Sequence, residues 1–180
     1  KKPIFNVYDV SIPCEKSVKL LGIEIDYQLK FDDHIKDICR KASQQLNVLK
    51  RLNKNLSKLN KLTIFHSFIL SNFNFCPLAW HFCSIANTKK IEKIQERSLR
   101  FIYNDHSSSY KDLLIKANIP TLEIRRLKTI ASETFKILHN TSPVCLQDLV
   151  SFKETRYNLR HSHSATIPKV KSTAFGETLS

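Results

Sequence analysis

Residues 32–52 read DDHIKDICRKASQQLNVLKRL, and the spacing of their apolar side chains predicts a long amphipathic helix. The apolar stripe consists of Ile35, Ile38, Ala42, Leu46, Leu49 and Leu52. Either Asp32 or Asp33 is expected to cap the free backbone N–H groups at the start of this helix. The polar residues off the stripe are expected to face water or phosphate; they are Lys36, Arg40, Gln44, Asn47 and Arg51.

A second helix is predicted over residues 58–73, with Ser57 as its N-cap and Pro77 stopping or kinking it. This segment is apolar on most of its sides, which is typical of a helix in the centre of a core. We expect burial of four of its side chains, namely Leu62, Phe65, Phe68 and Ile69.

A third helix is predicted from about residue 88 to residue 103, with Ile91, Ile94, Leu99 and Ile102 on its inner face. Lys90, Lys93, Arg97 and Arg100 are spaced so that they share one outer face. A short helix at 110–116 and a longer one at 122–139 follow. The inner positions of the longer helix are expected to include Leu127, Ile130, Thr134 and Leu138.

Two short strands are predicted before these helices, at residues 4–10 and 18–25, because both stretches are rich in β-branched and aromatic side chains. Residues 11–16 would connect them, and Gly22 would mark a bulge or a close backbone approach. The predicted fold is mainly α, a helical bundle with a short N-terminal β-hairpin. Its expected divisions are a hairpin at 1–30, a helical domain at 31–150 and an extended, poorly packed basic tail at 151–180.

The 180-residue chain carries a formal charge of +13, and this charge is unevenly distributed. No acidic residue occurs between Asp37 and Glu92. That interval contains Arg40, Lys41, Lys50, Arg51, Lys54, Lys58, Lys61, Lys89 and Lys90. Such a balance favours a polyanionic partner, nucleic acid first and an anionic membrane second. A lysine-rich face that serves only solubility is the alternative.

Candidate catalytic and metal-binding residues each have a structural explanation. Asp32 and Asp33 resemble a polymerase carboxylate pair, but such a pair needs an aromatic residue and a spacer before it, on a hairpin, and helix capping explains both. Cys76, His81 and Cys83, with His66 nearby, match no structural zinc spacing. His161 and His163 form an isolated His-x-His motif.

Trp80 could stack on bases, although a place in the core fits its aromatic surroundings better. The five cysteines are irregularly spaced, and we expect buried thiols in a reducing compartment. The protein is therefore predicted to be intracellular, cytoplasmic or nuclear.

The stretch from Leu62 to Ala86 contains no formally charged residue and has the length of a membrane span. It is interrupted by His66, Asn72, Asn74, Pro77 and His81. A buried helix, a turn and a second buried segment explain it better, so no membrane partner is expected.

Four stretches together resemble non-LTR retrotransposon reverse transcriptases, most closely the jockey-like group. Residues 18–26 (VKLLGIEID) are similar to the family's K-x-L-G-V-x-I-D strand, and residues 29–35 (LKFDDHI) to its L-x-F-x-x-H-I segment. Residues 67–80 (SFILSNFNFCPLAW) and 94–103 (IQERSLRFIY) resemble S-x-I-x-x-x-x-x-Y-C-P-x-x-W and I-Q-x-R-A-L-R-x-I-Y. The tail at 157–179 also looks like the family's downstream region, so the resemblance covers most of residues 17–180.

This resemblance implies a position just after the polymerase palm. The hairpin with Leu21 and Gly22 would correspond to the primer-grip region, and the helices to the thumb that holds the template–primer duplex. The palm carboxylates, which hold Mg²⁺ in such enzymes, lie upstream and have no counterpart here. The chain is thus expected to be a fragment of an RNA-directed DNA polymerase that is not catalytic alone and needs no cofactor itself; the absence of methionine also favours a piece of a longer polypeptide.

The expected partners are an RNA–DNA or DNA duplex, bound without sequence specificity, and the remainder of the parent polymerase. The residues predicted to contact nucleic acid are Arg40, Lys41, Lys50, Arg51, Lys54, Lys93, Arg97 and Arg100. Two alternatives remain open: a free-standing helical interaction protein whose basic face is only solvated, and an enzyme with an unrecognised site.

Overall fold

The computed structural model describes residues 5–7, 10–12 and 15–147, and the predicted tail at 151–180 lies outside them. Four short strands come first: β1 (Phe5–Val7), β2 (Val10–Ile12), β3 (Ser17–Leu20) and β4 (Ile23–Asp26). The helices are α1 (Asp32–Arg51), α2 (Lys58–Ile64), α3 (Ser71–Asn74), α4 (Ile85–Tyr103), α5 (Tyr110–Ala117), α6 (Leu122–Leu138) and α7 (Val144–Gln147). The predicted class, mainly helical with an N-terminal antiparallel hairpin, is confirmed.

The strands form two local hairpins, which differs from the predicted pairing of residues 4–10 with 18–25. β1 pairs with β2, and β3 pairs with β4, both antiparallel. The turn between β3 and β4 is formed by Leu21 (φ 48°) and Gly22 (φ 89°), and two consecutive positive φ angles match the twist of a tight hairpin. Gly22 therefore lies in a turn and not inside a strand.

The chain divides into two compact units, residues 1–126 and 127–180. The core of the first unit lies where α1 packs against α4 and against the helical segment that follows α2. Its largest fully buried side chains include Trp80, Phe65, Ile35, Leu49 and Ile91. A capping box of Ser109 and Asp112 begins α5, which also packs on α4.

The start of α1 corrects the predicted capping role of Asp32 and Asp33. Both acidic side chains lie in the first turn, where they favour the positive end of the helix dipole, but neither caps the helix. Asp26 organises this junction instead, since its carboxylate accepts hydrogen bonds from the backbone N–H groups of Gln28, Lys30 and Phe31. Burial acts to raise the pKa of Asp26, but these hydrogen bonds outweigh it and the pKa is lowered.

The second predicted helix is interrupted by a π-helical turn at Phe65–Ile69, which changes the face that it buries. Ser57 caps α2 as predicted, accepting a hydrogen bond from the Asn60 N–H. Phe65 and Ile69 are fully buried, Leu62 is half-buried, and Phe68 is 58% exposed. The prediction for Phe68 was wrong because the backbone N–H of Leu70 bonds to the carbonyl of Phe65, five residues back, and the wider turn rotates Phe68 outward.

The predicted inner face of α6 is also wrong in part. Leu127, Thr134 and Leu138 are exposed, whereas Leu122 and Arg126 are buried. The reason lies in the first unit, where the guanidinium of Arg126 stands 5.2 Å from the centre of the Trp80 ring. A cation over an indole face is favourable, and this contact orients the start of the helix.

Candidate nucleic-acid interface

A groove runs between α1 and α4, along the outer side of their contact. The two helices are joined below it by Ala42, Leu46 and Ile91, all buried, and at one end by Asn87, whose side-chain amide donates to Asp32 at 2.5 Å. Two adjoining depressions of about 460 and 680 Å³ make up the groove, and they share the residues Ser43, Ile94 and Arg97. We call this feature the α1/α4 groove.

Five exposed cations line the α1/α4 groove: Lys36, Lys50, Lys90, Lys93 and Arg97. Lys36, Ser43 and Lys50 are seven residues apart on α1, as are Lys90 and Arg97 on α4; seven residues make about two helical turns, so each set shares a face. Within the part of the chain that the structure describes, no salt bridge joins any of these five cations to a carboxylate. Their charges are therefore available to an outside anion.

The acidic residues nearby leave most of this positive potential intact. Asp32 and Asp33 line only the larger depression, close to the start of α1, and Asp32 is bonded to Asn87. The other depression is lined by Lys50, Arg97 and Arg100 without a carboxylate. A concave surface lined mainly by one sign of charge concentrates its field and attracts the opposite charge.

Three of the predicted contact residues, Lys50, Lys93 and Arg97, are brought together in the groove. Arg40 and Lys41 do not line it; both form salt bridges with Asp37, at 2.5 and 2.9 Å. Hydrogen bonds from Lys41 and Arg40 lower the pKa of Asp37 to about 2, so this carboxylate stays ionised at neutral pH. Arg51 and Lys54 are exposed beyond the groove, near the end of α1.

Arg100 lines the groove, but its guanidinium is held by protein groups. It pairs with Glu96 at 2.7 Å and donates to the backbone carbonyls of His106 and Ser108 at 3.2 and 3.0 Å. Its side chain is only 24% exposed. This geometry fixes the loop that follows α4 against the wall of the groove.

Replacing Arg100 with alanine should therefore lower the free energy of unfolding by about 1.5–3 kcal/mol, since charge-assisted hydrogen bonds are lost and carbonyls are left without their donor. Arg100→Lys should recover little of this loss, because an ammonium cannot reproduce the planar fork. Urea denaturation of both variants measures the effect, with Arg97→Ala as the exposed control. If Arg100→Ala were as stable as Arg97→Ala, the role of Arg100 in holding the loop after α4 would be contradicted.

The other predicted site feature, Leu21 and Gly22, forms the tip of the β3–β4 hairpin. Leu21 is 86% exposed. A Cβ placed on Gly22 would meet the ring of Phe75 at 3.5 Å, an ordinary contact, so the positive φ and not crowding is what requires glycine here. The tip is thus set against Phe75 and presents an apolar side chain to the outside.

Sequence reasoning missed Lys36 and Lys90 as members of the same site. Lys36 had been expected to face water or phosphate, and Lys90 had been placed on the outer face of the third helix, but neither was among the predicted contacts with nucleic acid. The seven-residue spacing that joins Lys36, Ser43 and Lys50 was a signal in the sequence. The sequence alone does not show that α1 and α4 lie side by side.

The alternative sites can now be placed. Trp80 has no exposed surface, and its indole N–H donates to the carbonyl of Phe75 at 3.2 Å, so it belongs to the core. Burial raises the pKa of Cys39 to about 11, which keeps this thiol protonated at neutral pH. Among the described residues, no group of three or more His, Cys, Asp or Glu side chains is arranged to hold a metal ion. No described helix is both long and apolar enough to span a bilayer.

Comparison with known proteins supports part of the motif resemblance. A probable RNA-directed DNA polymerase from the transposon X-element of Drosophila melanogaster is 28% identical over 103 residues. This chain is similar to a transposon RNA-directed DNA polymerase. The match covers 56% of the chain but only 11% of that protein, so it supports a relation to a retrotransposon polymerase and leaves the role of this segment open. No family model and no solved structure matches the chain.

Proposed function

We propose that this chain is a thumb-like module of a jockey-like retrotransposon reverse transcriptase, and that its α1/α4 groove grips a nucleic-acid duplex. The observation that carries the proposal is the groove itself, with five exposed cations on two helices that form no ion pair among the described residues. The similarity to a transposon RNA-directed DNA polymerase supports the choice of nucleic acid over other polyanions.

The chemistry of the groove fits contact with the phosphate backbone and not with base edges. Four of the five cations are lysines, whose ammonium groups are compact point charges on flexible stems. Such groups follow phosphates and position a duplex, but they do not distinguish one base pair from another. Binding would be independent of sequence, as a polymerase that moves along its template requires.

The chemical step of polymerisation is proposed to reside outside this chain. Two-metal phosphoryl transfer needs carboxylates directed at two ions about 4 Å apart. Asp32 is bonded to Asn87, and Asp33 lies beside it in the first turn of a helix and not on a hairpin. These residues do not fit such a centre, so Mg²⁺ would be bound by the remainder of the parent polymerase, which is the second proposed partner.

The apolar surface of the β3–β4 hairpin supports a protein partner of this kind. Val18 and Leu20 pair across the strands with Ile25 and Ile23 and so share their face of the sheet. Ile23 is buried in the core, whereas Val18 and Leu20 are more than half exposed, as is Leu21 at the tip. A free-standing interaction protein would use the same surface, but it would gain nothing from the α1/α4 groove, and nucleic-acid binding distinguishes the two.

The single-site variants Lys93→Ala and Arg97→Ala test the proposal. Each should reduce the log–log salt slope of duplex binding by about one, because each removes one phosphate contact and the associated counterion release. Lys111→Ala is the matched control, since Lys111 is exposed on α5 and does not line the groove. Fluorescence anisotropy with a labelled RNA–DNA hybrid at several salt concentrations gives the slopes.

Heparin serves as the competing polyanion in the same assay. The proposal predicts that heparin displaces the hybrid less readily than it would displace an unstructured polyanion of the same charge. Slopes that are equal for Arg97→Ala, Lys111→Ala and the unchanged protein would show that the basic surface is only solvated, and would favour the interaction-protein alternative.

A further inference from the structure

The α1 side of the α1/α4 groove carries two neutral polar side chains between the cations Lys36 and Lys50. Ser43 is half-buried and lines both depressions, and Asn47, one turn further along α1, is exposed and lines one of them. Lys36 and Lys50 lie seven residues to either side of Ser43. These two lysines are about 21 Å apart along the helix axis at a rise of 1.5 Å per residue, so a strand that contacts both must pass over Ser43 and Asn47.

The fold does not use the polar groups of Ser43 and Asn47. Several other polar side chains in helices of this unit form hydrogen bonds: Ser98 and Thr63 donate to carbonyls four residues back, and Asn72 donates to Gln45. Asn87, at the end of the groove, donates to Asp32. In contrast, among the described residues no hydrogen bond involves the Ser43 hydroxyl or the Asn47 amide. Their donors and acceptors are therefore available to a ligand in the groove.

The cations alone cannot distinguish RNA from DNA, because both carry the same phosphates. The chemical difference is the ribose 2′-hydroxyl, which is both a donor and an acceptor. A serine hydroxyl and an asparagine amide are also both donors and acceptors, and so they complement this group. We propose that Ser43 and Asn47 bond to 2′-hydroxyl groups of a strand held by the groove cations, so that the groove selects an RNA strand. This inference rests on the proposed function, since it concerns the same groove.

The experiment compares the full 180-residue chain on three duplexes of one sequence: DNA, an RNA–DNA hybrid, and a hybrid whose RNA strand is 2′-O-methylated. The unchanged protein should bind the hybrid roughly three- to tenfold more tightly than the DNA duplex, the effect of one or two net hydrogen bonds. Methylation should remove this preference, because the methylated strand keeps its ribose sugars but has lost the hydrogen-bond donors of its 2′-hydroxyl groups.

Two variants separate a role in selection from a role in the fold. Ser43→Ala combined with Asn47→Ala should lose the preference for the hybrid while the salt slope stays unchanged, because no phosphate contact is removed. The single variant Asn47→Ala should lose part of the preference for the hybrid. Because Asn47 is exposed, this variant remains a valid test if the double variant is less stable. Gln44→Ala is the matched control, since Gln44 is exposed on the same helix outside the groove lining.

Equal affinity of the unchanged protein for hybrid and DNA would overturn the inference while leaving the proposed grip intact. A preference that persists in the double variant and in Asn47→Ala, or on the methylated strand, would also overturn it and would point to recognition of duplex shape. Absence of binding to all three duplexes would instead overturn the proposed function, and this inference with it.

Discussion

Replacing Phe65 with alanine should lower the free energy of unfolding by about 3–5 kcal/mol, whereas Phe68→Ala should cost less than about 1 kcal/mol. The two residues are identical and only three positions apart. Phe65 has no exposed surface, and Phe68 is 58% exposed. The first substitution opens a cavity at the contact between α1 and the π-helical turn, and the second removes a side chain that is largely in water.

Urea denaturation of the two variants measures this difference, because a change in the midpoint at constant m-value reports stability alone. Phe68 thus serves as the control for Phe65, with the same aromatic group removed from the same segment. Equal losses for both variants would show that residues 65–69 follow a regular α-helix and that the π-helical turn is absent in solution. Such a result would restore the burial pattern expected from the apolar spacing alone.

The second large effect is the salt dependence of duplex binding. Five phosphate contacts give a log–log slope of about −4.5, so affinity for a DNA duplex should fall roughly 500-fold between about 50 and 200 mM salt. The five contacts are those of the cations that line the α1/α4 groove. Anisotropy titrations across this salt range measure the slope directly.

A variant with all five groove cations replaced by alanine should bind weakly and with little dependence on salt. The matched control is Arg40→Ala combined with Lys41→Ala. It also removes two cations from α1, but both are already paired with Asp37 and lie outside the groove. A flat slope for the unchanged protein would contradict the groove as a phosphate site. A large change of slope in the Arg40 and Lys41 variant would place the contacts on another face of α1.

Arg97 and Arg100 are expected to have different roles, although they are the same residue type and lie on the same helix. Both were assigned to one outer face from their spacing, and both line the groove. Arg97 is exposed and forms no salt bridge among the described residues, whereas Arg100 is held by Glu96 and by the loop carbonyls. Stability is therefore expected to depend on Arg100, and binding on Arg97.

The sequence by itself determined where most helices lie, the inner faces of α1 and α4, and the excess of positive charge. The stripes of α1 and α4 were read correctly at Ile35, Ala42, Ile91 and Leu99 because each depends only on residues one or two turns away in the same helix. The N-cap at Ser57 was predicted for the same reason, since a cap bonds to a backbone group three residues along. The acid-free interval likewise needs no tertiary information.

Only the tertiary structure decided which faces meet and which polar groups remain free. The turn at Phe65–Ile69 rotated Phe68 outward, and Arg126 took a buried place over Trp80, because neighbours distant in sequence stabilise these arrangements. The α1/α4 groove exists because two helices 33 residues apart lie side by side, with Asp32 bonded to Asn87 across the junction. Periodicity places a residue on a face of its own helix, but contacts between helices decide whether that face is core, groove or open surface.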